Sequence, residues 1–365
     1  MSQSQITVAV VGARFGAEFV PIYQAHPDVA EVVVCDTDAR RFAEVGERCG
    51  VVRRCADFGD VLAAGDIDAV HLLTPLPLHV EQSVAVLEAG KHCACAVTMG
   101  RSAGDLARVL AAARASGKNY MMMETMVYGR EYLYVKDLYE SGALGELTFL
   151  RGVYFQDVEG YPDYWRSVPP MHYATHVVAP ILALAGTNAS AVTCFGSGLL
   201  SERLKATDES PFRLETALFR LAGTSIAAEV TRSWFETARE YVEGFHVYGT
   251  KMSLEWNETW DAHPLLFEMG ELGGQPGRPV TPRRVEVPGY AGRLPGPLRP
   301  FTSGGHGGSH PHLVHEFVRS IVEGRRPAID AAVAANWTAP GLRAHDSAMR
   351  GGELLEIPEF RWELG

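Results

Sequence analysis

The sequence lacks the features that mark several protein classes. No apolar run is long enough to cross a bilayer: the longest, Val177 to Ala185, spans nine residues, against roughly 20 for a membrane helix. The six cysteines (Cys35, Cys49, Cys55, Cys93, Cys95, Cys194) form no CxxC pair. Most sit inside apolar segments and read as buried free thiols rather than a secreted disulfide framework. Basic residues are in deficit, 33 Lys and Arg against 44 Asp and Glu, for a net charge of -11. A surface that tracks nucleic-acid phosphates needs the opposite balance. The opening MSQSQITVAVVGARFG has no basic leader and enters a strand pattern at once, so no signal peptide is expected and the cytoplasm is the expected compartment.

What remains is ordinary globular material. The chain has 365 residues, 47% hydrophobic and 21% charged, enough for two domains. From Ile6 to Met122 short β-rich runs alternate with amphipathic stretches. ITVAVV (6–11), EVVVC (31–35), DAVHLL (68–73), HCACAV (92–97) and NYMMM (119–123) read as buried strands. Residues 17–25, 39–49, 80–89 and 104–116 carry helical spacing. This alternation predicts an α/β unit on a doubly wound parallel sheet.

The turn after the first strand is Gly12-Ala13-Arg14-Phe15-Gly16-Ala17. A dinucleotide turn wants Gly-x-Gly-x-x-Gly/Ala: a tight turn, a bare backbone against the pyrophosphate, and close helix–strand packing. Gly12 and Ala17 satisfy the pattern. Arg14 stands in the second-glycine place, so its side chain must turn away or lie over the phosphates as a counter-charge. Gly16 can return freedom to the loop. The second strand ends at Asp36, where a carboxylate grips the adenosine ribose hydroxyls and repels a 2′-phosphate. NAD is therefore expected ahead of NADP, a preference softened by Arg40 and Arg41 nearby in sequence. The competing role for Asp36 is N-cap of the 39–49 helix.

Thr74-Pro75-Leu76-Pro77-Leu78-His79 follows the DAVHLL strand, and AGKHCACAVTMG (89–100) comes one helix later. Beyond stand YGREYLYVKDLYESGALGEL (128–147), MHYATHVVAPILALAG (171–186) and HPHLVHEFVRSIVEGRRPAID (310–330). In this order the segments resemble the glucose–fructose oxidoreductase / inositol dehydrogenase / MocA family, over nearly the whole chain. The resemblance implies a Rossmann domain, expected at 1–123. It also implies a C-terminal α/β domain, 124–365, on a large open and mostly antiparallel sheet. NAD would be held by Gly12, Arg14, Phe15, Gly16, Asp36, Thr74, Pro75, His79 and Val97. A homodimer or homotetramer joined through the C-terminal sheet is implied as well.

Two polar positions of the family are changed. Its Glu-Lys-Pro segment reads Ala96-Val97-Thr98 here, so Val97 replaces the lysine that touches the reacting hydroxyl. Its Asp-x-x-x-His motif reads His172 and His176, so only His176 matches. On a helix this spacing puts both imidazoles on one face. A zinc pair would need a third ligand, and His306, His310, His312 and His315 have no fixed distance from it; no metal is expected. Two structural histidines are a second possibility. The favoured role is catalytic, with His176 as general acid/base and His172 orienting substrate or sharing the proton. Oxidising an alcohol needs a base with pKa near working pH, and close imidazoles titrate as a pair. A protonated His172 would supply part of the charge that Val97 cannot.

Tyr128 and Arg130 are further substrate-binding candidates, with interdomain anchoring as the competing role. Tyr164 and Trp165, in the stretch 156–176, are expected to enclose substrate or to anchor that loop. Residues 146–155, 191–194, 215–221, 226–232, 241–248 and 252–256 read as strands. The segment 257–308, rich in Gly, Pro and Arg, shows no periodicity and reads as an arm, a lid or a mobile stretch. Amphipathic helices at about 311–322 and 331–349 are expected to pack back on the first domain. The chain thus reads as an NAD-dependent oxidoreductase acting on a hydroxyl of a sugar, cyclitol or related polyol, without nucleic-acid or membrane partners. Two alternatives stay open: a redox-neutral hydrolase, lyase or epimerase that retains NAD, and a catalytically inactive binding subunit.

Overall fold

A computed structural model describes residues 5–205, 210–256, 259 and 262–363. By its internal contacts the chain divides into two compact units, Met1–Tyr128 with Gly289–Ala335 and Phe360–Gly365, and Gly129–Pro288 with Asn336–Glu359. The sequence boundary drawn at 123/124 therefore lies at Tyr128/Gly129, and the late segments are shared between the units.

The first unit holds six strands, β1 (Ile6–Val11), β2 (Val29–Cys35), β3 (Arg54–Cys55), β4 (Ala69–Leu72), β5 (His92–Cys95) and β6 (Tyr120–Met122). Helices α1 (Ala13–Gly16), α2 (Val20–Ala25), α3 (Ala39–Cys49), α4 (Phe58–Ala63), α5 (His79–Glu88) and α6 (Ala103–Ser116) alternate with them. All pairings are parallel, in the order β3-β2-β1-β4-β5-β6. Strand β4 is buried at every residue and β1 at all but Thr7, as strands covered on both faces must be. The order reverses between β1 and β4, and the carboxyl ends there open the crevice where such sheets take ligands. The helix expected at 17–25 begins earlier, at Ala13, and is interrupted from Ala17 to Phe19. Strand β3 and helix α4 are too short for periodicity to reveal.

The second unit begins with α7 (Arg130–Glu140), β7 (Leu147–Phe155) and α8 (Thr175–Ala185). It continues through β8 (Ala189–Leu199), β9 (Phe212–Leu221), β10 (Ala227–Ser233), β11 (Val242–Gly249), β12 (Met252–Glu255), β13 (Leu265–Met269) and β14 (Val280–Arg284). The single turn α9 (Gly305–Gly308) and helix α10 (His310–Val322) belong to the first unit, α11 (Ala331–Met349) spans the later boundary, and β15 (Leu355–Glu356) returns to the second sheet. That sheet has nine strands in the order β14-β13-β12-β11-β7-β10-β9-β8-β15. Only β7 and β10 run parallel; the other pairs are antiparallel. Helix α8 covers this sheet, burying Val178, Ile181 and Leu182 around one small apolar gap with Phe219, Ala228 and Val230 of the strands. Each such side chain, fully buried, contributes about 1.5–3 kcal/mol.

The segment 257–308 is not structureless: β13 and β14 lengthen the sheet at one edge. Strand β14 is exposed at every residue and carries Pro282, so it has no alternating pattern to read, as befits an edge strand. Residues 257, 258, 260 and 261 lie outside the described residues. Within the first unit α10 packs on α2, where Arg319 pairs with Asp28 at 2.8 Å and His315 meets His26 at 3.0 Å. Cys35, Cys93, Cys95 and Cys194 are buried, Cys49 and Cys55 half-buried, and all six are free. Among the described residues no helix is long and apolar enough to cross a membrane.

Candidate active site

The first unit brings the expected dinucleotide residues to the carboxyl ends of β1, β2, β4 and β5. Gly12 leaves β1 at φ 97°, and a Cβ there would stand 2.6 Å from the Leu73 carbonyl oxygen, so only glycine fits. Asp36 follows β2; its Oδ2 accepts from the Ala13 N–H at 2.6 Å and its Oδ1 from the Asp38 N–H at 2.8 Å. The N-cap role belongs to Asp38 instead, which accepts from the Arg40 N–H at 3.0 Å. Asp36 thus ties the first turn to β2, and both its oxygens keep lone pairs for ribose hydroxyls. Arg14 and Phe15 are exposed. Arg14 lines a cleft of about 210 Å³ with Ala17, Arg41, Glu44 and Arg48. Gly16 is buried against Val10, so it serves close packing rather than loop freedom. The tight turn and the Asp36 carboxylate fit the adenosine ribose of NAD.

After β4, the Thr74 hydroxyl donates to Gln82 Oε1 at 2.5 Å, and Pro75 opens the 3-10 turn Leu76–Leu78. His79 is buried, with Nε2 2.9 Å from the Thr74 carbonyl and Nδ1 3.0 Å from the Thr98 carbonyl. Carbonyls only accept, so both ring nitrogens must donate. Burial opposes the charge, but Cys95 and the two carbonyls outweigh it and raise the pKa to about 9. With both nitrogens engaged, His79 braces the turns after β4 and β5 rather than reaching for a ligand. Val97 lies in the second of these turns, 6% exposed, with a cis peptide bond to Thr98. Tyr128 closes this unit, half-buried after the 3-10 turn Thr125–Val127.

In the second unit the two histidines do not share a helix face, contrary to the expectation from their spacing. His172 sits in a 3-10 turn, Pro170–Tyr173, and Ala174 (φ -106°, ψ 5°) separates it from α8. Pro169 and Pro170 enforce the tight entry. His172 is half-buried, its ring set edge-to-face on His345 with centroids 5.0 Å apart. His176 is buried in the first turn of α8. Its Nε2 lies 3.8 Å from Glu243 Oε1, and the rings of Tyr154 and Tyr173 flank it at 5.7 and 5.6 Å. Burial, with the hydrogen-bonded Glu243 carboxylate, holds the Tyr241 phenol well above its usual range. At 3.8 Å from His176, longer than a hydrogen bond, the Glu243 carboxylate acts by its charge and favours the imidazolium formed when the ring takes a proton. Among the described residues no three His, Cys, Asp or Glu side chains gather as a metal site.

The loop aromatics are anchored. Trp165 packs on Trp234 and Tyr173 at 5.2 and 5.0 Å, and its carbonyl accepts from the Trp234 indole at 3.1 Å. Tyr164 stacks on Trp165 at 4.9 Å. Arg130, at the start of α7, is exposed and paired with Glu131 at 2.9 Å.

The sequence reading missed a polar row beneath these histidines. Strand register places Glu243 beside Tyr154, Tyr154 beside Arg232, and Arg232 beside Glu215. All four are buried. The Arg232 guanidinium lies 3.5 Å from the Tyr154 ring centroid and 3.9 Å from that of Trp234, and donates to the carbonyls of Tyr173 and Ser233. Burial pulls its pKa below the ordinary value. A signal was present. Glu215 is in phase with buried Ala217 and Phe219, Arg232 with Ala228 and Val230, and Glu243 with Phe245 and Val247, positions where alternation calls for apolar residues.

Comparison with known proteins adds the following. Residues 6–124 match the family model described as "Oxidoreductase family, NAD-binding Rossmann fold". A "Glycosyl hydrolase family 109 protein" of Streptomyces niveus is 24% identical, covering 98% of this chain and 78% of its own. Levoglucosan dehydrogenase in complex with NADH and levoglucosan is similar with a TM-score of 0.80 at 20% identity, over 98% of this chain and 100% of that one. Myo-inositol 2-dehydrogenase from Lactobacillus plantarum gives a TM-score of 0.76 at 16% identity, over 97% and 100%. At these identities the likeness to the solved structures is one of fold.

Proposed function

We propose, from the match of residues 6–124 to the glucose–fructose oxidoreductase / inositol dehydrogenase / MocA family model, that the chain is an NAD-dependent oxidoreductase acting on a hydroxyl of a sugar, cyclitol or related polyol. The carrying observation is a dinucleotide turn held by Gly12 and Asp36 in one unit, with a buried carboxylate–imidazole pair, Glu243 and His176, in the other. Bound NAD supplies the hydride acceptor. Asp36 receives the ribose hydroxyls and disfavours NADP. Thr74, Pro75 and Val97 line the cofactor, with His79 bracing their turns. His176 takes the proton of the substrate hydroxyl, and Glu243 steadies the resulting imidazolium. From the second unit His172, Arg130 and Tyr164 are the groups offered to the polyol, with Trp165 fixing the loop that carries Tyr164; Tyr128 is the candidate from the first unit. Val97 brings no charge, so alkoxide character must be met by the histidines.

The outward face of the second sheet carries Phe149, Val153 and Phe155 of β7 with Leu218 and Tyr248. A face of this composition suits a second copy of the chain, as a homodimer or a homotetramer. Six free thiols suit the reducing cytoplasm.

One observation favours a second reading. The Streptomyces niveus relative, aligned over 98% of this chain, is named a glycosyl hydrolase, which supports a redox-neutral cycle that retains NAD. The test is NADH formation by the purified protein with NAD and a panel that includes levoglucosan, myo-inositol and a chromogenic glycoside. Reduction of NAD by a sugar or cyclitol supports the dehydrogenase. Cleavage of the glycoside without net NADH supports the second reading and overturns the first.

A further inference from the structure

We propose that Glu215 is a positioning residue for His172, acting on it through two partners at once. The inference rests on the reading that His172 meets the substrate. Glu215 points inward from β9 and is fully buried. Its Oε2 accepts from the Met171 N–H at 2.8 Å, in the backbone of the turn that carries His172. Its Oε1 accepts from Nδ1 of His345 at 2.6 Å, and the His345 ring packs edge-to-face on His172. One carboxylate therefore fixes both the main chain under the imidazole and the ring against its side.

Helix α11, which carries His345, approaches the same turn closely. A Cβ at Gly341 would lie 2.1 Å from the Met171 carbonyl oxygen, so the helix backbone itself backs the turn. The turn is thus held from β9 by hydrogen bonding and from α11 by contact. Packing alone does not call for this arrangement, because an apolar side chain in phase with Ala217 and Phe219 would fill the space without needing donors. A buried carboxylate is tolerated only where its oxygens are met, and here the groups that meet them are the two that govern His172. Accepting from Nδ1 also fixes the tautomer of His345.

The test separates positioning from bulk structure. Glu215→Gln keeps the size, and its amide oxygen can still accept from the Met171 N–H. Its NH2 then faces His345 Nδ1, which must give up its proton. Ring-nitrogen NMR on 15N-histidine protein reads this, with His172 and His345 assigned through His172→Gln and His345→Gln. In the parent, Nδ1 of His345 is expected to be protonated and His172 to give one set of signals. In Glu215→Gln the Nδ1 signal should move to the unprotonated range and the His172 signals should shift or double, while NADH affinity by calorimetry stays within about twofold, as expected for a local change that leaves the nucleotide residues untouched. His345→Phe keeps a ring of similar shape without the bond to Glu215, and should disturb the His172 signals in the same way. It carries the test if Glu215→Gln does not fold. Unchanged His172 signals in either folded variant overturn the inference and leave the proposed function standing. Failure of both to fold assigns Glu215 to folding alone and overturns it too. Glycoside cleavage without net NADH would instead overturn the proposed function, with the hold of Glu215 on His172 still visible by NMR.

Discussion

Replacing His71 by phenylalanine should make the loss of stability depend on pH, in a direction set by its surroundings. His71 lies in β4, fully buried, with Nδ1 3.2 Å from the Tyr23 hydroxyl and the Phe19 ring at 4.7 Å. Burial, and then His310 nearby, lower its pKa from 6.5 to about 3. The folded value is below the unfolded one, so the unfolded chain takes the proton first. The contribution of His71 is full above about pH 6.5 and is lost as pH falls toward 3. At pH 4.5, roughly two units below the unfolded value, the loss is about 2–3 kcal/mol. Phenylalanine cannot titrate, but it leaves the buried Tyr23 hydroxyl without its partner, which costs about 1–3 kcal/mol at any pH in this range. His71→Phe should therefore be less stable than the parent at pH 7, and equal to it or more stable at pH 4.5. Urea unfolding followed by circular dichroism at both pH values checks this, since the other titrating groups are common to both proteins. A gap of the same size at both would refute the claim that His71 is held neutral.

Four other changes follow from the same structure. Gly12→Ala should weaken NADH binding severely and lower stability by about 1–3 kcal/mol, because the new Cβ meets the Leu73 carbonyl oxygen at 2.6 Å; calorimetry and a thermal melt read both. Asp36→Ala removes the acceptor for the Ala13 and Asp38 N–H groups, and should weaken NADH binding more than NADPH binding in parallel titrations. His176→Ala should lower turnover by about two to four orders of magnitude in initial-rate assays, with NADH affinity by calorimetry little changed, since none of the residues assigned to the nucleotide is altered. Arg232→Met removes the buried cation between the Tyr154 and Trp234 rings, and should destabilise the second unit by about 3–5 kcal/mol, read as an earlier urea midpoint by tryptophan fluorescence.

The first sheet was readable because parallel strands covered on both faces leave nearly continuous apolar runs, as β1, β2 and β4 do but for Thr7, Glu31 and His71. Asp36 was found by its place after β2, but only the structure shows that Asp38 takes the capping role. The His172–His176 spacing misled, because Pro169, Pro170 and Ala174 break the helical phase that i, i+4 geometry assumes. Strand β14 was hidden because an exposed edge strand buries neither face and so writes no alternation. Glu215, Arg232, Glu243 and His345 were hidden for a different reason. Their partners lie far away in sequence, such as His345 for Glu215, and spacing cannot report a contact made across strands and helices. Polar residues in the inward phase of β9, β10 and β11 were the one local trace.

The most direct test of the account follows deuterium from the substrate carbon. The protein is incubated with NAD and, in turn, levoglucosan and myo-inositol deuterated at carbon, together with a deuterated glycoside, and the nucleotide and products are weighed by mass spectrometry. Net hydride transfer predicts one deuterated NADH for each ketone formed from a sugar or cyclitol. Product formed with no net deuterated NADH, its label kept at carbon or exchanged with solvent at the neighbouring position, would contradict a net dehydrogenase.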